Sequence, residues 1–114
     1  METTLEEHFK GKSTAARDLY DRLIEVITSF GPITIEPRKT GIYLVNRTAL
    51  GGISIHKNHI VVGFKTDNMI EHEIISNSLQ ISRNRYQYTV KISSPNELEG
   101  VVREWLRDAY SVSG

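Results

Sequence analysis

Cysteine is missing from all 114 residues of the chain. Disulfides, thiolate metal sites and cysteine nucleophiles are removed together, and the expected compartment is a reducing one, the cytoplasm. Long apolar runs are missing as well. The longest are a few residues, against the roughly 20 that a helical membrane crossing needs, so no membrane association is expected. The start, Met1-Glu2-Thr3-Thr4-Leu5-Glu6-Glu7, is acidic and lacks a basic segment followed by an apolar stretch, so no secretory signal is expected. Net charge is zero, fourteen Lys and Arg balancing fourteen Asp and Glu. General nucleic-acid binders carry an excess of cations that displaces counterions from phosphates, so nucleic acid is not an expected partner. There is no internal repeat, no low-complexity tract and no glycine-rich phosphate loop.

The composition that remains is that of an ordinary globular chain, 39% hydrophobic and 25% charged. One domain is expected over residues 1–114, long enough to bury roughly two thirds of its unfolded surface. Thr4-Leu5-Glu6-Glu7 has capping-box spacing, so a short helical turn is expected over 4–10, with Leu5 and Phe9 as anchors and Gly11 as the stop. A main helix over 13–30 follows, with Ser13 or Thr14 as cap. Ala16, Leu19, Tyr20, Leu23, Ile27 and Phe30 recur at helical spacing, and Gly31-Pro32 ends the run.

Strands are expected at 33–36, 42–47, 53–56, 59–65 and 86–92. Pro37 closes the first, Arg38-Lys39-Thr40-Gly41 is a turn, and Gly51-Gly52 reads as a bulge or turn before the third strand. Lys57-Asn58 suits a two-residue hairpin loop, and the register can be checked internally. Ile55 then faces Ile60 and Ile53 faces Val62, on one side with Phe64. Ser54, His56, His59, Val61, Gly63 and Lys65 share the other side. Residues 67–85 give no clear period, although Ile74-Ile75 read as buried. In the last strand Tyr86, Tyr88, Val90 and Ile92 alternate with Gln87, Thr89 and Lys91.

Ser94-Pro95-Asn96-Glu97 opens a final helix over 95–110, with a stripe of Leu98, Val101, Val102, Trp105, Leu106 and Ala109. Gly100 falls inside it and reads as a point of close approach to the sheet or the first helix. Strands joined by short turns are antiparallel. The expected fold is therefore α+β: an antiparallel sheet of four to five strands with both amphipathic helices on its one apolar face.

The frame His8-Phe9-Lys10-Gly11-Lys12, the ending Phe30-Gly31-Pro32, and Val90-Lys91-Ile92-Ser93-Ser94-Pro95-Asn96-Glu97-Leu98 followed by Trp105-Leu106 and Ala109-Tyr110 run in order along nearly the whole chain. Together they resemble a prokaryotic family known as domain of unknown function 5655, some members of which are labelled predicted transport protein. The resemblance implies a compact α+β domain used alone or appended to others, and it brings no established catalytic residues. One departure is Tyr88, where many relatives are expected to have histidine, so no role for that imidazole is carried over.

His56 and His59 stand opposite each other across the hairpin loop, with Cβ atoms about 5 Å apart, near enough to share a metal. Two ligands with no acidic third nearby make a poor site, so neither a metal nor a cofactor is expected. The polar sheet face offers Thr34, Glu36, Ser54, His56, His59, Lys65, Gln87, Thr89 and Lys91, a mixed donor and acceptor surface suited to a small anion, a peptide or a protein. Arg38 and Lys39 with Arg83 and Arg85 form a candidate basic patch for phosphate. A helix followed by a three-strand meander also resembles the core of some nucleases. Those enzymes gather carboxylates and a lysine on central strands, where this chain has Glu36 and little else acidic. With no convergent reactive set, the reading leans away from an enzyme and toward a non-catalytic binding or interaction module using the uncovered sheet face. Its expected partner is a second copy, as a homodimer, or a protein or peptide. The alternative is an enzyme or enzyme-associated domain for a small-molecule or nucleic-acid substrate, with its site on the His56/His59 side.

Overall fold

The computed structural model of the chain describes residues 5–114, so the expected cap at Thr4 lies outside the described residues. The elements are α1 (Leu5–Phe9), α2 (Thr14–Thr28), β1 (Thr34–Arg38), β2 (Gly41–Val45), β3 (Ala49–Ile55), β4 (Ile60–Thr66), β5 (Ile75–Ser82), β6 (Arg85–Ile92), a 3-10 turn at Pro95–Leu98, and α3 (Val101–Val112).

Ser13 caps α2: its residue is extended, and its hydroxyl accepts from the Ala16 amide at 3.3 Å, satisfying a donor that the first turn leaves free. Ala16, Leu19, Tyr20, Leu23, Val26 and Ile27 form the buried stripe. The strands assemble into one antiparallel sheet of order β1-β2-β3-β4-β6-β5. The Lys57-Asn58 hairpin has the expected register, with Ile55 opposite Ile60 and Ile53 opposite Val62, closed by the His56 amide donating to the His59 carbonyl at 2.9 Å. Ile42, Leu44, Leu50, Ile53, Ile55, Ile60, Val62, Phe64, Tyr88, Val90 and Ile92 meet the stripes of α2 and α3 in one buried cluster. Both helices therefore cover the same face, as the single apolar surface of the sheet requires.

Several expectations about the elements are corrected. The sheet has six strands, the additional one being β5 from the unread stretch. Its residues are almost all exposed, so no apolar alternation marks it; Ile74 is exposed and Ile75 only partly buried. β3 begins at Ala49, which places Gly51-Gly52 within the strand. The bulge is at Leu50, skipped between the pairs Leu44 with Gly51 and Val45 with Ala49, and it turns Leu50 into the core. β1 continues through Pro37 to Arg38, since Pro37 stands on an edge strand where a missing donor is tolerated. The final helix is interrupted: a 3-10 turn ends at Leu98 and α3 starts after Gly100.

Gly100 makes no close approach. A Cβ there would meet nothing within 4 Å, and the reason for glycine is a backbone at φ 66°, ψ −131°, essentially closed to residues with side chains. Gly51 is a position that backbone packing reserves, because a Cβ would lie 2.0 Å from the Gly63 carbonyl oxygen.

These two origins predict the same sign. Gly100→Ala is expected to lower unfolding stability by about 1–3 kcal/mol, and Gly51→Ala to lower it too, read from urea denaturation midpoints. A stabilised Gly100→Ala, the result expected at a helix interior, would show that residues 95–112 form one continuous helix.

Candidate functional site

The face of the sheet turned away from the helices brings several polar side chains around one depression. Strand alternation puts Tyr43, Gly52, Gly63 and Thr89 there, and the register aligns them in one row: Tyr43 opposite Gly52, Gly52 opposite Gly63, Gly63 opposite Thr89. Two adjacent glycines in such a row leave a gap in the layer of side chains. The result is a shallow trough of about 260 Å³, floored by Gly52 and Gly63 and bordered by Tyr43, Ser54, Val61, Lys65, Gln87 and Thr89.

Tyr43 forms one wall, and its neighbours hold it. Its hydroxyl lies 3.0 Å from that of Thr40, the Arg38 guanidinium sits 5.2 Å from the ring centroid, and Arg38 is in turn bonded to Glu36 at 2.7 Å. Lys65 borders the trough from β4, and Gln87 stands opposite it on β6. Among the described residues, the ion pairs within 4.0 Å all use arginines, so Lys65 contributes a positive charge that no carboxylate of these residues neutralises.

Neither floor glycine is demanded by the protein's own packing. A Cβ on Gly52 would meet its nearest atom at 3.4 Å and one on Gly63 at 3.8 Å, both ordinary contacts, and neither residue has a positive φ. Glycine weakens a strand interior and often marks a place where another group approaches the backbone.

Of the residues expected at a site, Ser54, Lys65, Gln87 and Thr89 gather around this trough. Glu36 does not line it, being engaged by Arg38 on the edge strand. His56, His59 and Lys91 lie beyond it toward the β3–β4 loop, where Lys91 pairs with Val61 and Ile92 with Ile60. The basic patch does not form. Arg38 and Lys39 sit at the β1–β2 turn and Arg83 and Arg85 at the β5–β6 turn, on opposite edges and opposite ends of the sheet. Tyr88, the departure from the family pattern, points into the core and accepts from the Ile70 amide at 2.7 Å, securing the connection between β4 and β5. Tyr43, Gly52 and Gly63 were not anticipated. The signal for the glycines was present, because the register that pairs Ile53 with Val62 also pairs Gly52 with Gly63.

The two histidines stack face to face, centroids 4.6 Å apart and rings 4° from parallel, with Ser54 Oγ 3.2 Å from His56 Nε2. Parallel rings direct their in-plane nitrogen lone pairs side by side, not toward a common point. Among the described residues no group of three or more His, Asp or Glu is placed to hold a metal ion. Partial burial, then the neighbouring His56 and Lys91, hold the His59 imidazole below its usual range.

No helix among the described residues is long and apolar enough to cross a membrane. An antiparallel sheet clad by helices on one face and troughed on the other defines a small two-layer α+β domain. The chain belongs to the family described as Domain of unknown function (DUF5655), whose model matches residues 5–113. Comparison with curated proteins and with solved structures gave no significant match.

The depressed His59 sets a pH dependence with a definite sign. Below the unfolded value of 6.5 the unfolded chain takes up the proton first, so His59's contribution to stability is full above pH 6.5 and falls as the pH drops toward its folded pKa. Melting temperatures from pH 7.5 to 5 are expected to fall less steeply in His59→Asn than in the parent chain. An equal slope in both would remove His59 from the account.

Proposed function

We propose that this domain is a non-catalytic binding module whose ligand lies in the trough of the uncovered sheet face. The observation that carries the reading is the Gly52–Gly63 pair, which leaves the floor open although the protein's own packing would admit a Cβ at both positions. A flat backbone floor, a fixed tyrosine wall, an unneutralised lysine and the Gln87 amide suit a compact ligand. Such a ligand has a flat or extended apolar part over the glycines and an anionic or hydrogen-bond-accepting group toward Lys65. The volume of about 260 Å³ suits part of a peptide or a small metabolite better than a large cofactor. A cytoplasmic location belongs to the same proposal, carried by the cysteine-free sequence.

The test is an amide-resolved NMR titration of the chain with small carboxylates, inorganic phosphate, nucleotides and short peptides. Shifts are expected to centre on Gly52, Gly63, Lys65, Gln87 and Thr89. Gly63→Leu is expected to stay folded and lose the response, whereas Gly63→Ala is expected to be at least as stable as the parent, by up to about 1 kcal/mol. Shifts centred on His56 and His59 instead, unchanged in Gly63→Leu, would favour the other end of the sheet and defeat this reading.

A further inference from the structure

The sheet has two free edges, β1 and β5, and the sequence treats them oppositely. Edge strands present unpaired backbone donors and acceptors, and proteins blunt them with proline, charge or shortness. β1 has all three: five residues, Thr34-Ile35-Glu36-Pro37-Arg38, with a proline between two opposite charges. β5 is eight residues long, Ile75-Ser76-Asn77-Ser78-Leu79-Gln80-Ile81-Ser82, with no charge and no proline.

The exposed apolar side chains fall on the same edge. Among the described residues six large hydrophobics are exposed, and four of them lie on β5 or the segment leading into it: Met69 at 67%, Ile74 at 43%, Leu79 at 61% and Ile81 at 47%. The other two have separate places, Tyr43 in the trough wall and Val101 on α3. An unguarded strand edge and an apolar cluster thus coincide, and each alone is a mark of an interaction surface.

We propose that β5 is a pairing edge and that its occupant is β5 of a second copy, antiparallel about a two-fold axis, so that the two sheets become one. Main-chain hydrogen bonds supply the attraction in such strand addition, and side chains choose the partner. The choice follows from the strand's own chemistry. A two-fold contact sets the same patch against itself, which penalises any strand whose charges meet their like. β5 has none, and the chain's zero net charge adds no longer-range repulsion. Register shifts next to Ser76 and Ile81 disturb both ends of β5 and leave Asn77–Gln80 as its regular middle, so the axis falls near Leu79. Centred there, the pairing sets Leu79 against its own copy, Ser78 against Gln80 and Asn77 against Ile81. Leu79 shares the uncovered face with Gln87, its partner on β6, so a Leu79–Leu79 contact extends that face across both copies without entering the buried core.

Light scattering and sedimentation of the full chain over a concentration series test the proposal. The parent is expected to show a concentration-dependent dimer, with β5 amides gaining hydrogen-exchange protection as concentration rises. Leu79→Lys and Leu79→Glu, each opposing like charges at the axis, are expected to weaken dimerisation at least tenfold while keeping the parent's circular dichroism. Mixing the two variants is expected to restore a heterodimer, which a merely unfolded variant cannot give. A parent that stays monomeric throughout, a dimer indifferent to Leu79→Lys, or two folded variants that fail to pair when mixed would each overturn the proposal.

Discussion

Burial of one sheet face is the constraint on which the rest of this structure depends. The strands supply Ile42, Leu44, Ile53, Ile55, Ile60, Val62 and Phe64 to one side only, and α2 and α3 bring one apolar stripe each. Phe64 and Trp105 stack with centroids 5.8 Å apart where α3 meets the middle of the sheet. Apolar area removed from water here, at roughly 25 cal/mol per Å², is the main term holding the layers together. Surface ion pairs add little by comparison. Arg22 bonds Glu99 and so ties α2 to the 3-10 turn, but both side chains are substantially exposed, where solvent screens such pairs.

Because all the helices are used on one side, the second face and the edges carry the chemistry that remains. The glycines show how finely these demands are divided. Gly51 turns toward the packed side, where the Gly63 carbonyl leaves no room for a Cβ, and Gly100 adopts a backbone conformation that side chains avoid. Gly52 and Gly63 answer to neither demand, and they lie together on the open face. That residues which weaken a strand relieve nothing inside the protein is the ground for the ligand trough proposed above.

The ends of that face differ in kind. Around the trough, Lys65, Gln87 and Thr89 stand on central strands whose backbones are paired on both sides, so their positions are stiff. At the β3–β4 loop His56 and His59 stack, with the Ser54 hydroxyl against His56 and Lys91 a repulsive neighbour of His59. Their opposition across a tight hairpin is a consequence of register. Among the described residues no third His, Asp or Glu joins the two imidazoles to hold a metal ion.

By itself the sequence determined the α+β class, α2 with a cap at Ser13 or Thr14, the Lys57-Asn58 hairpin and the apolar side of β3, β4 and β6. These follow from periodicities of 3.6 and 2 and from local cap and turn chemistry, which neighbouring residues decide among themselves. Tertiary structure alone decided β5, whose exposed residues carry no period and which exists because β6 offers it a ladder of hydrogen bonds. It also decided the bulge at Leu50, which turns that side chain into the core, and the break at Gly100. Ser54, Lys65, Gln87 and Thr89 were legible as members of the polar face, but their convergence with Tyr43 on the glycine floor required the order of the strands. Strand order fixes which residues from distant parts of the chain become neighbours. The same order separated Arg38 and Lys39 from Arg83 and Arg85, because pairing between strands is set by long-range contacts that no local pattern encodes.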